Sequence, residues 1–446
     1  MTFNDLNINT PLLNALDELG FKEPTAIQEK VYSVAMSGAD VCGVAQTGTG
    51  KTFAYLLPCL RQWKFTKDLS PTILVLVPTR ELVAQVTADA DDLTKYMNVE
   101  SLGVYGGVNI NTQKKAAEGK IDLLAATPGR LFDLVMNGSL KLKNIKKLVI
   151  DEVDEMLNLG FRTQLKNILD LLPAKRQNLL FSATLTPEVE ELMGIFFNDP
   201  VMVEAAPSGT PLENIEQRAY EVPNFNTRLN LLKLLLDTDE EMNKVLIFTG
   251  GKRLADELYT ALEPLFPEKI GVIHSNKEQN HRFNSVKQFE EGNYRILIAT
   301  DLIARGIDIT DVSHVINFDT PDEPEKYMHR IGRTGRAKKK GIAITFVTEK
   351  EKAWRDKIEA LMKFAIPDIS LPNELEISTE LTEDELPKVF MKEIQVKVPK
   401  KEDVGPSFHP KSAKNSKTNF VMSRKDRMMK KYGKAKTRGQ KPKRKK

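Results

Sequence analysis

A chain of 446 residues exceeds one ordinary core and calls for two globular domains with additional segments. At 41% hydrophobic and 28% charged it has the composition of a soluble globular protein, and no apolar run approaches the ~18 residues of a membrane helix. The net charge is +4, and the two cysteines, Cys42 and Cys59, lie in no C-x-x-C pair or metal-ligand spacing, so both are expected as buried thiols in a reducing compartment.

The first residues, MTFNDLNINT, carry Asp5 and lack a basic start and an apolar core. No secretory signal is expected there, and the cytoplasm is the expected location. Helical spacing runs over 10–19, and DVCGVA then reads as a buried strand. AQTGTGKT (45–52) follows it and opens a second helical stretch over 51–60. A strand leading through a glycine-rich loop into a helix is the setting of a phosphate cradle. Gln46, Thr47, Gly48, Thr49 and Gly50 present backbone N–H groups, Lys51 supplies a charge for the β/γ-phosphates, and Thr52 offers a hydroxyl to Mg²⁺. The competing reading is a glycine-rich turn without nucleotide. Ala45 stands at the first position of the strict G-x-x-x-x-G-K-[ST] pattern.

TILVLVPT is the next strand, followed by a helical pattern over 80–96 and by the strands SLGVYGG, IDLLAATP, KKLVIDE and NLLFSAT. Strand alternating with helix implies an α/β sheet covered on both faces. KKLVIDEVD sets Asp151 and Glu152 directly after a strand, where such a sheet binds its ligand. Asp151 suits a Mg²⁺ ligand, and Glu152 suits the base that orients and deprotonates water at a γ-phosphate. Taken alone, the pair also reads as a helix cap or a solvated pair.

The small residues, Gly and Pro of AAPSGTP (205–211) read as a hinge linker. The strand–helix rhythm resumes after residue 217 with KVLIFT, KIGVIHS, RILIATD, HVINFD and GIAITFVT. ARGID (304–308) precedes HRIGRTGR (329–336), whose arginines 330, 333 and 336, interleaved with glycine, suit one small anionic target. The alternative is a basic surface turn for nucleic-acid backbone alone. Residues 364–404 are acidic and irregular, either packed on the second domain or leading into the tail. From 405 to 446 there are 16 Lys/Arg against Asp426 alone, leaving 49 basic and 60 acidic residues before it. The body is near −11 and the tail +15, a polycation expected to be disordered in isolation and to attract phosphates by counterion release. Its bland reading is a solubilising tail.

Over roughly the first 360 residues these motifs, in order from Phe3 to Arg336, resemble those of a DEAD-box RNA helicase. GFKEPTAIQ (20–28) resembles the family's Q motif, with Phe3 17 residues before Gly20. The resemblance implies two tandem RecA-like domains, 1–205 and 217–363, joined by a linker at 206–216 and followed by the 364–404 extension and the 405–446 tail. It implies Phe3 stacked on adenine and Gln28 on its edge, with ATP and Mg²⁺ as cofactors. Pro78, Thr79, Arg80, Gly107, Thr127, Pro128 and Arg130 would line the RNA path in the first domain, and Arg282, Thr300 and Asp301 in the second. Gln279 falls in the same second-domain motif. Ser182 and Thr184 would couple hydrolysis to strand separation through Asp154 or His329. Asp308, Arg333 and Arg336 would complete the ATP site on closure. Partners would be RNA, read largely without sequence, and ribosomal or degradosome-type proteins, with the chain a monomer. The basic tail resembles that of bacterial RhlE-type members.

The sequence departs from the family pattern in DEVD, where Val153 replaces alanine, in LIFTGGK (246–252), and in HSN at His274. Two other functions remain in view: an ATP-gated RNA clamp or annealing chaperone, against which Glu152, Arg333 and Arg336 argue, and a DNA translocase, against which the Q motif, TPGR and SAT argue.

Overall fold

The computed structural model describes residues 1–45, 49–204, 214–301, 309, 312–335, 340–382, 385 and 422–433. Gln46, Thr47, Gly48, Asp308 and Arg336 lie outside the described residues, as do most of the linker and most of the segment beyond 382. Met1–Leu386 forms one compact unit and Pro387–Lys446 a second.

The first unit contains two parallel sheets. The first has seven strands: β1 Val41–Val44, β2 Ile73–Leu76, β3 Ser101–Val104, β4 Leu123–Ala126, β5 Lys147–Ile150, β6 Gln177–Ser182 and β7 Val201–Glu204. Their spatial order is β3-β4-β2-β5-β6-β1-β7. β1, β2, β4 and β6 are buried at every position. Helices cover both faces, which is why these strands read as unbroken apolar runs and not as alternation. The helix at 80–96 stops at Leu93 instead, with Thr94 as its cap, the Thr94 N–H and hydroxyl both donating to Ala90 O at 2.9 and 2.7 Å. β7 was not legible as a strand: it is an edge strand of four residues with Val201 and Met202 exposed.

The second sheet has six strands: β8 Ile215–Glu221, β9 Val245–Thr249, β10 Ile270–Ile273, β11 Ile296–Thr300, β12 His314–Asn317 and β13 Gly341–Val347. The order is β10-β11-β9-β12-β13-β8. β8, also missed in the sequence, is an edge strand whose outer side bonds to the segment after the helix Lys352–Met362, Ala219 N to Pro367 O at 2.9 Å and Ile369 N to Ala219 O at 2.8 Å. This pairing caps the open edge. The same segment then runs along the helix Phe225–Thr238. Asn224, Asn226 and Asn230 donate their side-chain amides to the carbonyls of Ser378, Glu380 and Glu376 at 2.6, 3.0 and 3.0 Å. The described part of the irregular stretch is therefore packed on the second sheet's domain.

In the second unit, Arg424–Tyr432 is a helix, where the tail's composition had argued for disorder. Local chemistry accounts for it: Ser423 accepts from Asp426 N at 3.2 Å, Asp426 lies in the first turn, and Lys430 and Lys431 lie in the last.

Candidate active site

β1 leads through Ala45 into the phosphate-loop segment, and Gly50 heads the helix Lys51–Arg61. Gly50 has φ +86, and a Cβ there would sit 2.5 Å from Gln28 Nε2. Only glycine serves this position. Thr25 Oγ1 donates to Thr49 O at 2.9 Å, and Gln28 Nε2 donates to Gly50 O at 3.1 Å while its Oε1 accepts from Thr25 N at 2.9 Å. Gln28 was read as an adenine contact; here its amide joins the capping box to the loop backbone. Thr25 went unnoticed, although T-x-x-Q before an apolar run is the signature of that box. Phe3, which the resemblance sets against adenine, is 4% exposed and packed in the first domain's core with Leu6 and Ile8.

Lys51 is buried, its Nζ 3.9 Å from Asp151 Oδ1, and that ammonium has no hydrogen-bond partner among the described residues. A buried cation without an acceptor is costly, and a phosphate oxygen removes that cost. Thr52, half-buried, follows it on the helix.

At the end of β5, Asp151 Oδ1 accepts from Glu152 N at 2.9 Å. Glu152 has φ 52 and ψ 48, the left-handed region that side chains other than glycine occupy at a cost. Burial pushes the Glu152 carboxyl up to about 7; Asp151 adds to the rise, while Lys51 and Arg333 oppose it. Burial also raises Asp151, against the pull of Lys51. Glu152 Oε2 accepts no hydrogen bond among the described residues. A carboxyl poised near neutrality with one free oxygen is suited to taking a proton from water. Val153, the departure from the family pattern, is fully buried in the core that also holds Ile150, Met156 and Leu180, so its extra methyls are absorbed there.

Asp154 Oδ2 accepts from Ala183 N, Thr184 N and Thr184 Oγ1 at 3.2, 3.1 and 3.0 Å, and Ser182 Oγ donates to Thr184 O at 2.6 Å. Of the two partners expected for Thr184, the structure uses Asp154. His329 is half-buried on the helix Pro324–Ile331.

The second domain's arginines divide. Arg330 is buried and forks onto Asp301, Nε to Oδ1 at 2.5 Å and Nη2 to Oδ2 at 2.9 Å, with Nη1 to Asp319 O at 2.8 Å. Two acids at that site, Asp301 and Asp319, require its charge. Arg333 is 3% exposed and lies close enough to Glu152 to pull its carboxyl down.

Two cavities lie where the two sheets' loops face each other. One, of about 300 Å³, is lined by Pro78, Thr79, Arg80, Gly106, Thr127 and Arg282. The other, of about 380 Å³, includes Glu155, Lys252, Ser275, Thr300 and Asp301. A further cavity, of about 700 Å³ around Arg228 and Glu351, contains none of the predicted site residues. Thr79 caps the helix Arg80–Leu93, accepting from Leu82 N at 3.3 Å, and Pro128 opens the helix Pro128–Met136 at its first position. Gly107, at φ +83, lets the Arg80 guanidinium lie 2.5 Å from where a Cβ would stand, and Arg80 keeps 30% of its side chain exposed.

Two arginines expected on the RNA path meet protein acceptors here. Arg130 is buried, donating Nη1 to Gln113 Oε1 at 2.6 Å and Nη2 to Val108 O at 2.9 Å, so it braces the Gly106–Gly107 loop from behind. Arg282 is 2% exposed and pairs across the cleft with Glu81, Nη2 to Oε1 at 3.0 Å, beside Gln279, which donates to the same Glu81 oxygen at 3.1 Å. A sequence displays positive charge without its acceptors, and both arginines looked free for that reason. Glu81 and Gln113 carried no signal of their own.

Residues 25–192 match the DEAD/DEAH box helicase family and residues 227–338 the helicase conserved C-terminal domain. The chain is 39% identical over 350 residues to DEAD-box ATP-dependent RNA helicase CshA of Geobacillus kaustophilus, covering 78% of this chain and 74% of that protein. It is 38% identical over 384 residues to ATP-dependent RNA helicase DbpA of Bacillus subtilis, covering 85% and 79%. In structure it resembles S. cerevisiae Dbp5 bound to RNA and ADP BeF3, with a TM-score of 0.76 at 28% identity over 84% of this chain and 96% of that one. Two tandem RecA-like domains, an ordered set of phosphate-site residues and these relatives lead to one assignment: the chain belongs to the DEAD-box family of ATP-dependent RNA helicases.

Proposed function

We propose that this chain binds single-stranded RNA across its two RecA-like domains and opens short duplexes locally, driven by ATP hydrolysis. The observation that carries the reading is Glu152: a buried carboxyl near pKa 7 at the end of β5, flanked by Lys51 from the same domain and by Arg333 from the other. Lys51 binds the β/γ-phosphates, and Glu152 orients water and accepts its proton. Arg333, with Arg336, neutralises charge developing on the transferred phosphoryl group.

Asp151 and Thr52 fit a Mg²⁺ ion held mainly through phosphate oxygens, since no cluster of three His, Cys, Asp or Glu stands ready for a metal among the described residues. When bound, the ion supplies electrostatic neutralisation of the phosphates. Arg80, with the backbone around Thr79, Gly107 and Thr127, suits contact with RNA phosphates, which carries no sequence information. Thr300 and Asp301 face the same cleft from the second domain. The bend that a closed cleft imposes on one strand is incompatible with pairing, and hydrolysis resets the two halves.

Among the described residues no helix is long and apolar enough to cross a membrane. A monomer acting in the cytoplasm, with ribosomal or degradosome-type protein partners, is the setting we propose. Turnover measured with single-stranded RNA and with DNA of equal length tests the central reading. RNA should stimulate far more than DNA, and Lys51→Ala should abolish turnover. Equal stimulation by DNA refutes the assignment to RNA.

A further inference from the structure

We infer that the loops entering β2, β4 and β5 form a second RNA-binding surface, at the end of the first sheet opposite the cleft. It rests on RNA being the substrate of the cleft. The three loops are bonded into one surface: Ile121 N donates to Leu69 O at 3.1 Å, Asn144 Nδ2 to Asp68 Oδ2 at 3.1 Å, and Lys146 N to Thr72 O at 2.8 Å. Two aromatic rings stand in it. Trp63 and Phe65 meet edge to face at 6.5 Å, and Lys120 Nζ lies 4.5 Å from the Phe65 ring centre and 5.8 Å from that of Trp63. Buried Asp122 anchors the group, accepting from Trp63 Nε1 at 3.3 Å and pairing with Lys120 at 2.9 Å. Phe65 is nevertheless 63% exposed, so one ring face meets solvent while its position is held from beneath.

The same three loops carry Lys64, Lys67, Lys141, Lys143 and Lys146, all exposed; the exposed acids of these loops are Asp68 and Glu118. The residues before the tail carry 49 basic and 60 acidic side chains, so this excess of lysine runs against the body's own charge. Lysine interleaved with a fixed, exposed aromatic ring is the chemistry of a single nucleic-acid strand: phosphates neutralised by ammonium groups, a base stacked on the ring. An acidic protein would satisfy the lysines and leave the ring without a stacking partner.

The loops leaving these same strands, at Pro78, Thr127 and Asp151, belong to the cleft and the ATP site. Four residues of strand at ~3.3 Å each separate the two ends by about 13 Å before the loops are counted. One long RNA thus reaches both surfaces, and a short one fills only the cleft. The second surface holds flanking RNA and raises the effective concentration of the strand at the cleft.

The test uses the full chain with a 40-nucleotide and an 8-nucleotide poly(U), the latter bound with an ATP analogue, each followed by fluorescence anisotropy. For Phe65→Ala we expect affinity for the 40-mer to fall roughly five- to tenfold and Phe65→Trp to restore it. For combined Lys64→Glu, Lys67→Glu and Lys143→Glu we expect the slope of log K against log salt to fall by about two. Binding of the 8-mer and the turnover it stimulates should not change. Wild-type affinity and salt slope on the 40-mer overturn the proposal and leave the patch to a protein partner; equal loss on both RNAs also overturns it. Failure of the wild-type chain to bind the 8-mer would instead count against the cleft.

Discussion

Replacing Glu152 by glutamine separates the carboxylate's role in catalysis from its effect on folding, because the two respond oppositely to pH. In the folded chain the carboxyl is raised from 4.5 to about 7, chiefly by burial. Above pH 7 it is ionised in both folded and unfolded states, and the folded state carries the cost of the buried charge. A difference of about 2.5 units corresponds to about 3 kcal/mol. Below about pH 4.5 the group is neutral in both states and the cost is gone, so this residue's destabilisation grows as pH rises from 4.5 to 7 and is constant beyond. Neutral, isosteric glutamine escapes it. In the nucleotide-free protein Glu152→Gln should therefore stabilise the first domain by up to about 3 kcal/mol at pH 8, on the order of 6–12 °C in its melting transition, with the gain shrinking towards zero by pH 4.5.

Turnover should move the other way. The wild-type rate at saturating ATP and RNA should rise about tenfold per unit below pH 7 and level above it, as expected of a base of that pKa. Glu152→Gln should lose a hundredfold or more at every pH while still binding ATP and RNA. Differential scanning calorimetry at pH 5 and pH 8, with a pH–rate profile, provides both readouts. A variant no more stable at pH 8 than at pH 5 would show that the carboxyl is not strained by burial, and turnover within tenfold of wild type would remove it from the chemistry.

Arg333→Ala withdraws the cation that opposes the rise of Glu152. Turnover should fall about a thousandfold and the acidic limb of the pH–rate profile should move to higher pH; an unmoved limb would place Arg333 away from the base. Glu81→Ala and Arg282→Ala each remove one side of the ion pair across the cleft, so a double-mutant cycle on RNA affinity in the presence of an ATP analogue should return a coupling of about 1–3 kcal/mol. Additive losses would deny the pair a part in closure. Deleting 405–446 removes 16 basic residues and should flatten the salt dependence of RNA binding while sparing unstimulated turnover. Unchanged affinity at low salt would refute the tail's role.

The strands buried on both faces were legible because two covered faces leave no place for polar alternation, and β1, β2, β4 and β6 show it. β7 and β8 were not, because edge strands carry exposed and charged positions that break the apolar run. Asp151 and Glu152 were readable from their place after an apolar run, since a strand's end fixes where its next residues point. Lys51 was readable from the glycines before it. The arginines were harder. Arg130, Arg282 and Arg330 each looked available, and each is held by an acceptor distant in sequence: Gln113, Glu81 and Asp301. Composition likewise missed the helix at Arg424–Tyr432, which depends on one cap and a few placed charges.

Those held arginines sharpen what is unusual about the nucleotide site. Where Arg130 and Arg330 meet protein acceptors at close range, Lys51 Nζ and Glu152 Oε2 stay buried without a hydrogen-bond partner among the described residues, and Glu152 keeps a left-handed backbone besides. The first domain thus carries buried charges that it compensates only in part, through Lys51 and Asp151. On the reading proposed above, phosphate oxygens would answer Lys51 and Arg333 of the second domain would add to the relief of Glu152, so nucleotide and closure would each lower part of the site's cost. Two events that relieve one cost are thermodynamically coupled, and the coupling is reciprocal. An isolated first domain would keep Lys51 beside its base but lose Arg333, the second of the two cations that oppose the rise of Glu152, and its hydrolysis should be slower for that reason even with nucleotide bound. RNA, by drawing the two halves together, would then act on the protonation of Glu152 without touching it.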